Sequence, residues 1–297
     1  MKTRILMNIV LAAGVLALVF STATQARTDI EENHPVSPDG RLQIDNMAGS
    51  IEISSWDKPE VEIRGVLGDK VKKLEVTETS GGLRIRVHNQ ENQRRLDESH
   101  LRLQVPVGIS IEAESISADI TVEGLDNGSI VADTVSGDVD IKANTGHLEV
   151  ESVSGDVAFV GKSPRASVET VSGEIEVQGV EGEVRFSTVS GDLVLKGGAV
   201  SLGRFETVSG DLELSLQVSD GGRLSADSMS GDVTVILPAQ QQAEFSAQTY
   251  SGDIRSDFGV VDKEAGGPGR NLNHVLGNNG ASIKIESFSG DARLKKN

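Results

Sequence analysis

The chain has 297 residues, 45 of them acidic against 28 basic, a net charge of −17 and no cysteine. Without cysteine, disulfides, thiolate metal sites and a lipid-modified cysteine are excluded. So acidic a surface repels phosphate backbones, which speaks against nucleic acid and for cations or cationic peptides as partners, and aromatic residues at 3% offer few platforms for sugars.

Residues 1–26 read as a secretory signal: Lys2 and Arg4 are basic, residues 5–20 are apolar apart from Asn8, and Thr24 and Ala26 suit a peptidase site. Cleavage after Ala26 is expected to leave a periplasmic, secreted or surface protein with no stable membrane insertion, its charge going from −17 to −19 as Lys2 and Arg4 depart. The alternative is an uncleaved anchor, because the apolar run approaches the length of a short span.

Residues 27–114 are expected to form a β-rich cap with atypical first coils. Leu42/Ile44, Ile51/Ile53, Val61/Ile63, Leu74/Val76, Leu83/Ile85/Val87 and Leu101/Leu103/Val105 alternate as strands do. Ser80, Gly81 and Gly82 suit a hairpin turn, and residues 89–99 a polar loop. Such a segment would cover the open edge of whatever follows.

From residue 115 a repeat takes over. Thr-Val-Ser-Gly-Asp or a close relative stands at 134–138, 152–156, 170–174 (with Glu174), 188–192, 207–211, 228–232, 249–253 and 287–291, after a degenerate Ser-Ile-Ser-Ala-Asp at 115–119. Successive turn glycines are 18, 18, 18, 19, 21, 21 and 38 residues apart. Apolar residues fall seven and five places before the glycine (Leu148, Val150; Val184, Phe186), two before it (Val135, Val153, Val171), and two and four after it (Val139, Ile141; Leu193, Leu195). Odd and even offsets cannot share one face of one strand, so the chain is expected to bend three or four residues before the glycine and to bury all these apolar positions. A second corner falls at glycines such as Gly146, Gly161 and Gly179. Two strands and two corners per repeat make one coil of a single-stranded β-helix of 18–21 residues per coil. A sandwich of hairpins competes, but has no reason to repeat its turns. The 38-residue step reads as a loop insertion near residues 255–280, or as two coils with one turn lost.

Three stretches carry a resemblance: residues 46–57 with Val61 to Ile63, residues 101–107 leading to Ile111, and the Ser-Gly-Asp series. Together they resemble the bacterial "putative adhesin" family of exported β-strand-repeat domains. The resemblance implies an exported β-helical domain with adhesin-like surface roles, some relatives being tied to envelope stress and antimicrobial-peptide sensing.

In-register coils would stack Asp138, Asp156, Glu174, Asp192, Asp211, Asp232, Asp253 and Asp291 into one column. Asp133, Glu151, Glu169, Glu206, Asp227 and Glu286 would form a second. Like charges about 4.8 Å apart repel by roughly 0.9 kcal/mol per pair in water, so either a calcium row or backbone N–H groups of each Asp's own turn should offset them. No catalytic, cofactor or metal residue is assigned. The acids follow the repeat rather than a groove's geometry, and His34, His88, His100, His147 and His274 lack ligand spacing. Residues 155–163 have five residues before Gly161, Lys162 and Ser163 where a phosphate loop needs four. The expected function is a non-enzymatic envelope protein, adhesin-like or a scaffold. The alternatives are an envelope-stress module capturing cationic peptides or calcium, and, behind it, a carbohydrate-active enzyme.

Overall fold

The computed structural model describes residues 28–90, 97–263, 269–278 and 280–297. The expected signal, residues 91–96 of the polar loop and residues 264–268 and 279 of the expected insertion lie outside them. Among the described residues every regular element is a strand. The N-terminal part holds β1 (Thr28–Pro35), β2 (Arg41–Trp56), β3 (Glu60–Leu67), β4 (Val71–Thr79), β5 (Gly82–Asn89), β6 (Ser99–Pro106) and β7 (Ser110–Glu123). The repeats supply β8 (Ser129–Thr134), β9 (Val139–Lys142), β10 (His147–Ser152), β11 (Val157–Val160), β12 (Arg165–Thr170), β13 (Ile175–Gln178), β14 (Gly182–Ser190), β15 (Leu193–Ser209), β16 (Leu212–Ser230) and β17 (Val233–Leu237). The C-terminal part comprises β18 (Ala243–Thr249), β19 (Ile254–Ser256), β20 (Asp262–Lys263), β21 (Arg270–Leu276), β22 (Ala281–Ser289) and β23 (Ala292–Lys296).

Each repeat is one rung of a stack. Strands β8, β10, β12 and β14 and the second halves of β15 and β16 pair in parallel at the repeat spacing, so that Asp133 lies beside Glu151 and Glu151 beside Glu169. A second parallel ladder joins β9, β11, β13 and the first halves of β15 and β16. Between the ladders lies the core, built from the residues seven and five before each glycine and two and four after it: Leu148, Val150, Val157 and Phe159 are each at most 1% exposed. Phe186 and Phe205, on neighbouring rungs, meet edge to face at 5.7 Å. Gly203, where other rungs carry an aliphatic residue, leaves room for the Phe205 ring, whose edge would lie 2.8 Å from an added Cβ.

The turn tripeptide is dictated by the rung beneath and the rung above. The Ser154 N–H donates to the Val135 carbonyl at 2.9 Å, and its hydroxyl to the same oxygen at 3.1 Å. Gly155 is glycine because a Cβ would sit 1.9 Å from the Gly137 carbonyl oxygen, a close approach and not a left-handed backbone. The Asp138 carboxylate accepts the N–H of Asp156 at 3.0 Å, and that of Asp156 the N–H of Glu174 at 2.9 Å. The same link recurs at 2.8–2.9 Å from Asp211 to Asp192, Asp232 to Asp211, Asp291 to Asp232 and Asp253 to Asp291. A hydrogen bond to a charged group contributes about 1.5–3 kcal/mol, which exceeds the ~0.9 kcal/mol repulsion between neighbours. The acceptor therefore serves the next rung and not its own turn, which corrects the local-turn expectation.

Two other expectations are corrected. The bend lies in the turn itself. The residue three before the glycine is still buried (Thr134 5%, Thr170 5%), whereas the apolar residue two before it points outward, Val171 being 48% exposed. The rung order also departs from chain order. Strands β22 and β23 lie between the rung of β16 and β17 and the rung of β18 and β19. The 38-residue step thus holds a hairpin, β20 with β21, before the chain returns to fill the level it skipped. At the other end β2 pairs with β7 on one side and with β5 and β6 on the other. Both ends finish in antiparallel strands: β4 on β5 across the two-residue turn Ser80 and Gly81, β3 on β6, β1 on β3, and β21 on β18.

Candidate functional site

Stacking turns each outward position into a column. Two places before the turn glycine, Met47, Ile116, Val135, Val153 and Val171 follow one another up the stack, continued by Val189, Val208, Met229, Phe288 and Tyr250. All ten are 42–60% exposed. Phe288 and Tyr250 stack cofacially at 5.0 Å. Equivalent residues in parallel neighbours lie about 4.8 Å apart, so the column is a continuous apolar ridge about 43 Å long and not a scatter of single hydrophobic residues.

Eight members of the ridge, from Val135 to Tyr250, form one wall of a groove of about 1850 Å³. Its floor is the outer face of the first ladder, where side chains four, six and eight places before the glycine emerge. The position four before carries Asp45, Glu114, Asp133, Glu151 and Glu169, then Ser187, Glu206, Asp227 and Glu286. The position six before carries Glu112 and Glu149 towards the N-terminal end but Arg185, Arg204 and Lys284 towards the other. The cations of that second half are partly tied within the chain, Arg204 to Glu206 and Lys284 to Glu286. In the first half, Arg41 reaches Glu112 at 3.6 Å and His147 meets Glu149 at 3.2 Å.

This arrangement holds several carboxyls away from their ordinary range. Burial pushes the Asp133 carboxyl up, helped by the charges of Glu151, Glu149 and Glu112. Burial does the same at Glu114, with Asp45 adding to it, and at Asp227, where the Ser225 hydroxyl pulls back. Asp232, in the turn column, is lowered instead, by the Asp291 N–H and then by Arg293. Asp138, Asp156, Asp192, Asp211, Asp232 and Asp291 of the turn column are thus satisfied by neighbouring rungs, whereas Asp133 and Glu114 of the groove meet burial and like charge.

The two acidic columns expected from the sequence are both present, with different surroundings. Among the described residues no group of three or more His, Asp or Glu could hold a metal ion. The histidines are dispersed: His34 pairs with Glu32, His88 with Glu75, His147 with Glu149, His100 bonds Ser50, and His274 lies on β21. In the segment of the expected loop, Phe258 packs on Phe245 with centroids 4.7 Å apart and closes the end of the core beneath Lys296. The ridge itself was not expected. Its first member belongs to a rung whose turn, Asn46, Met47, Ala48 and Gly49, lacks Ser and Asp, yet pairs in register with Ser115 to Ala118. The residue right after the Asn or Ser is apolar in both, Met47 and Ile116, and that shared position is the signal that could have found it.

A stacked all-β repeat protein with a ridged, acidic surface groove is the class that fold and site define. Within that class the chain belongs to the Toastrack DUF4097 family, whose model matches residues 39–295. Among solved structures it is similar to a "putative adhesin" of Bacteroides fragilis, at 15% identity and a TM-score of 0.47, over 92% of this chain and 99% of that one. It is also similar to a "putative cell adhesion protein" of Clostridium sporogenes (12%, 91% and 100%, TM-score 0.23) and a "putative lipid binding protein" of Parabacteroides distasonis (11%, 90% and 97%, TM-score 0.34). Likenesses of this depth carry no weight on ligand or mechanism. No curated protein matches the chain.

Proposed function

We propose that this chain is a non-enzymatic, adhesin-like scaffold exported to the bacterial cell envelope, a stiff single-stranded β-helix whose contact face is the ridged groove. One observation carries the reading: ten large apolar side chains held in line at the surface, all at least 42% exposed. Their combined exposed area is on the order of 1000 Å², against about 300–600 Å² for the largest apolar patch of a typical monomer. A fold that needed only to be soluble would place polar residues there, as it does at the neighbouring serines. Val171→Asp with Val189→Asp leaves the core untouched and splits the ridge at its middle. Bacteria exporting that variant at the normal level should adhere to a surface or to one another clearly less than the parent. Unchanged adherence would sink the contact-face reading.

A second reading, capture of cationic peptides, is favoured by the carboxyls of Glu114 and Asp133, which burial and like charges hold high. An opposing cation would relieve both. Binding of a lysine-rich amphipathic peptide that weakens steeply with salt and with Asp133→Asn would favour it.

A further inference from the structure

We infer that the occupant of the ridge is a second copy of this chain, docked antiparallel about a two-fold axis with ridge against ridge. This inference rests on the reading of the groove as the contact face. The first reason is the repeat distance. Ridge side chains recur at the strand spacing of about 4.8 Å. An α-helix presents a turn about every 5.4 Å and drifts a full spacing out of register over about eight steps. A strand laid along the stack repeats a face only every ~6.8 Å. Another ladder of stacked strands matches it rung for rung over the whole length, and this chain carries one.

The second reason is area. A standard stable interface buries about 800 Å² per partner, and the ridge offers on the order of 1000 Å². The third is charge, which chooses the orientation. A parallel pair would set the aromatic end, Phe288 and Tyr250, and the acidic end each beside its own copy. In the antiparallel pair the axis falls between Val171 and Val189, so Val153 faces Val208 of the other copy. At the position six before the glycine Glu149 then lies opposite Arg204 and Glu112 opposite Lys284, counting equal rungs from the axis, while the acids four before it meet acids in either orientation. Such an isologous contact closes on itself and leaves no ridge open for further growth.

The chain has no cysteine, so introduced ones report cleanly. The protein is expressed with its own N-terminal segment and purified as exported, each variant's melting curve first being checked against the parent. Sedimentation should show dimers at about 10 µM chain, and Val171→Asp should weaken them at least tenfold. Glu149→Arg and Arg204→Glu should each weaken the dimer, and the two together in one chain should restore it. On oxidation a mixture of Val153→Cys and Val208→Cys chains should cross-link while neither does so alone, because like positions lie about 14 Å apart, three rung spacings. A monomer at about 100 µM, disulfides within either variant alone, or a monomer that instead takes up a lysine-rich amphipathic peptide would overturn the inference. Those results leave the contact-face reading standing if Val171→Asp with Val189→Asp still lowers adherence. Weakened dimers with normal adherence would overturn the contact-face reading instead.

Discussion

Replacing Gly173 by alanine tests the stacking most sharply, because the obstacle is backbone. The new Cβ would lie 2.1 Å from the Gly155 carbonyl oxygen and 2.8 Å from its carbon. Relief needs about 1 Å more separation, and the links flanking the glycine resist it: Ser172 N–H to the Val153 carbonyl at 3.0 Å and Glu174 N–H to the Asp156 carboxylate at 2.9 Å. Lengthening both by that much breaks them. The loss is about 0.5–1.5 kcal/mol for the neutral bond and 1.5–3 kcal/mol for the charged one. Against it stands a gain of about 0.4–1 kcal/mol from stiffening the unfolded chain, leaving a net cost near 2–3 kcal/mol. At about 2–4 °C per kcal/mol for a chain of this size, the melting temperature should fall by roughly 5–10 °C. Gly81→Ala is the matched control: nothing lies within 4 Å of its Cβ and its backbone is not left-handed, so its melting temperature should hold or rise. Thermal unfolding followed by circular dichroism separates them. Equal melting temperatures for Gly173→Ala and the parent would refute the in-register stack.

Other consequences follow from the same contacts. Asp133 sits between Glu114 and Glu151, and its carboxyl is raised, so its charged form costs stability at neutral pH. That cost sets in as pH rises through the folded pKa and is absent below the unfolded value near 3.9. Asp133→Asn should therefore be more stable than the parent at pH 7, by about 1 kcal/mol after screening, and no different near pH 3; a destabilised variant at pH 7 would contradict this. Asp211→Ala leaves the Asp232 N–H without the acceptor it meets at 2.8 Å and should cost about 1–2 kcal/mol in urea unfolding, with Asp211→Asn costing less. Gly203→Val drives a branched side chain into the Phe205 ring and should cost about 1–3 kcal/mol. Millimolar calcium should leave the melting temperature unchanged, because the turn carboxylates already accept backbone N–H groups; a rise of several degrees would show a bound cation row.

Much of the architecture was legible because stacking forces identical chemistry at identical positions. The glycine of each turn, the aliphatic pairs such as Leu193 and Leu195, and the hairpin at Ser80 and Gly81 follow from single-rung sterics and alternation. The ridge was not legible for a physical reason. Val135 and Val139 are equally apolar, and burial of hydrophobic residues is a one-way rule. Only the direction of the turn separates them, 45% exposed against 1%. The rung order near the C-terminus was hidden because the turns at 228–232, 249–253 and 287–291 are interchangeable as patterns. What distinguishes them is which neighbour each Asp bonds, a long-range fact. The groove's electrostatics were half visible: the column of acids could be counted, but not that burial sets it apart from the turn column.

The most direct measurement compares two introduced cysteines in the native chain at sub-micromolar concentration. Val171→Cys, on the ridge, should react with a maleimide at nearly the rate of the unfolded chain. Val168→Cys, three residues away at a position that is 0% exposed, should react only as the protein opens. Protection of the cysteine at 171 together with free reaction at 168 would contradict the account, because the apolar ridge would then lie inside the stack.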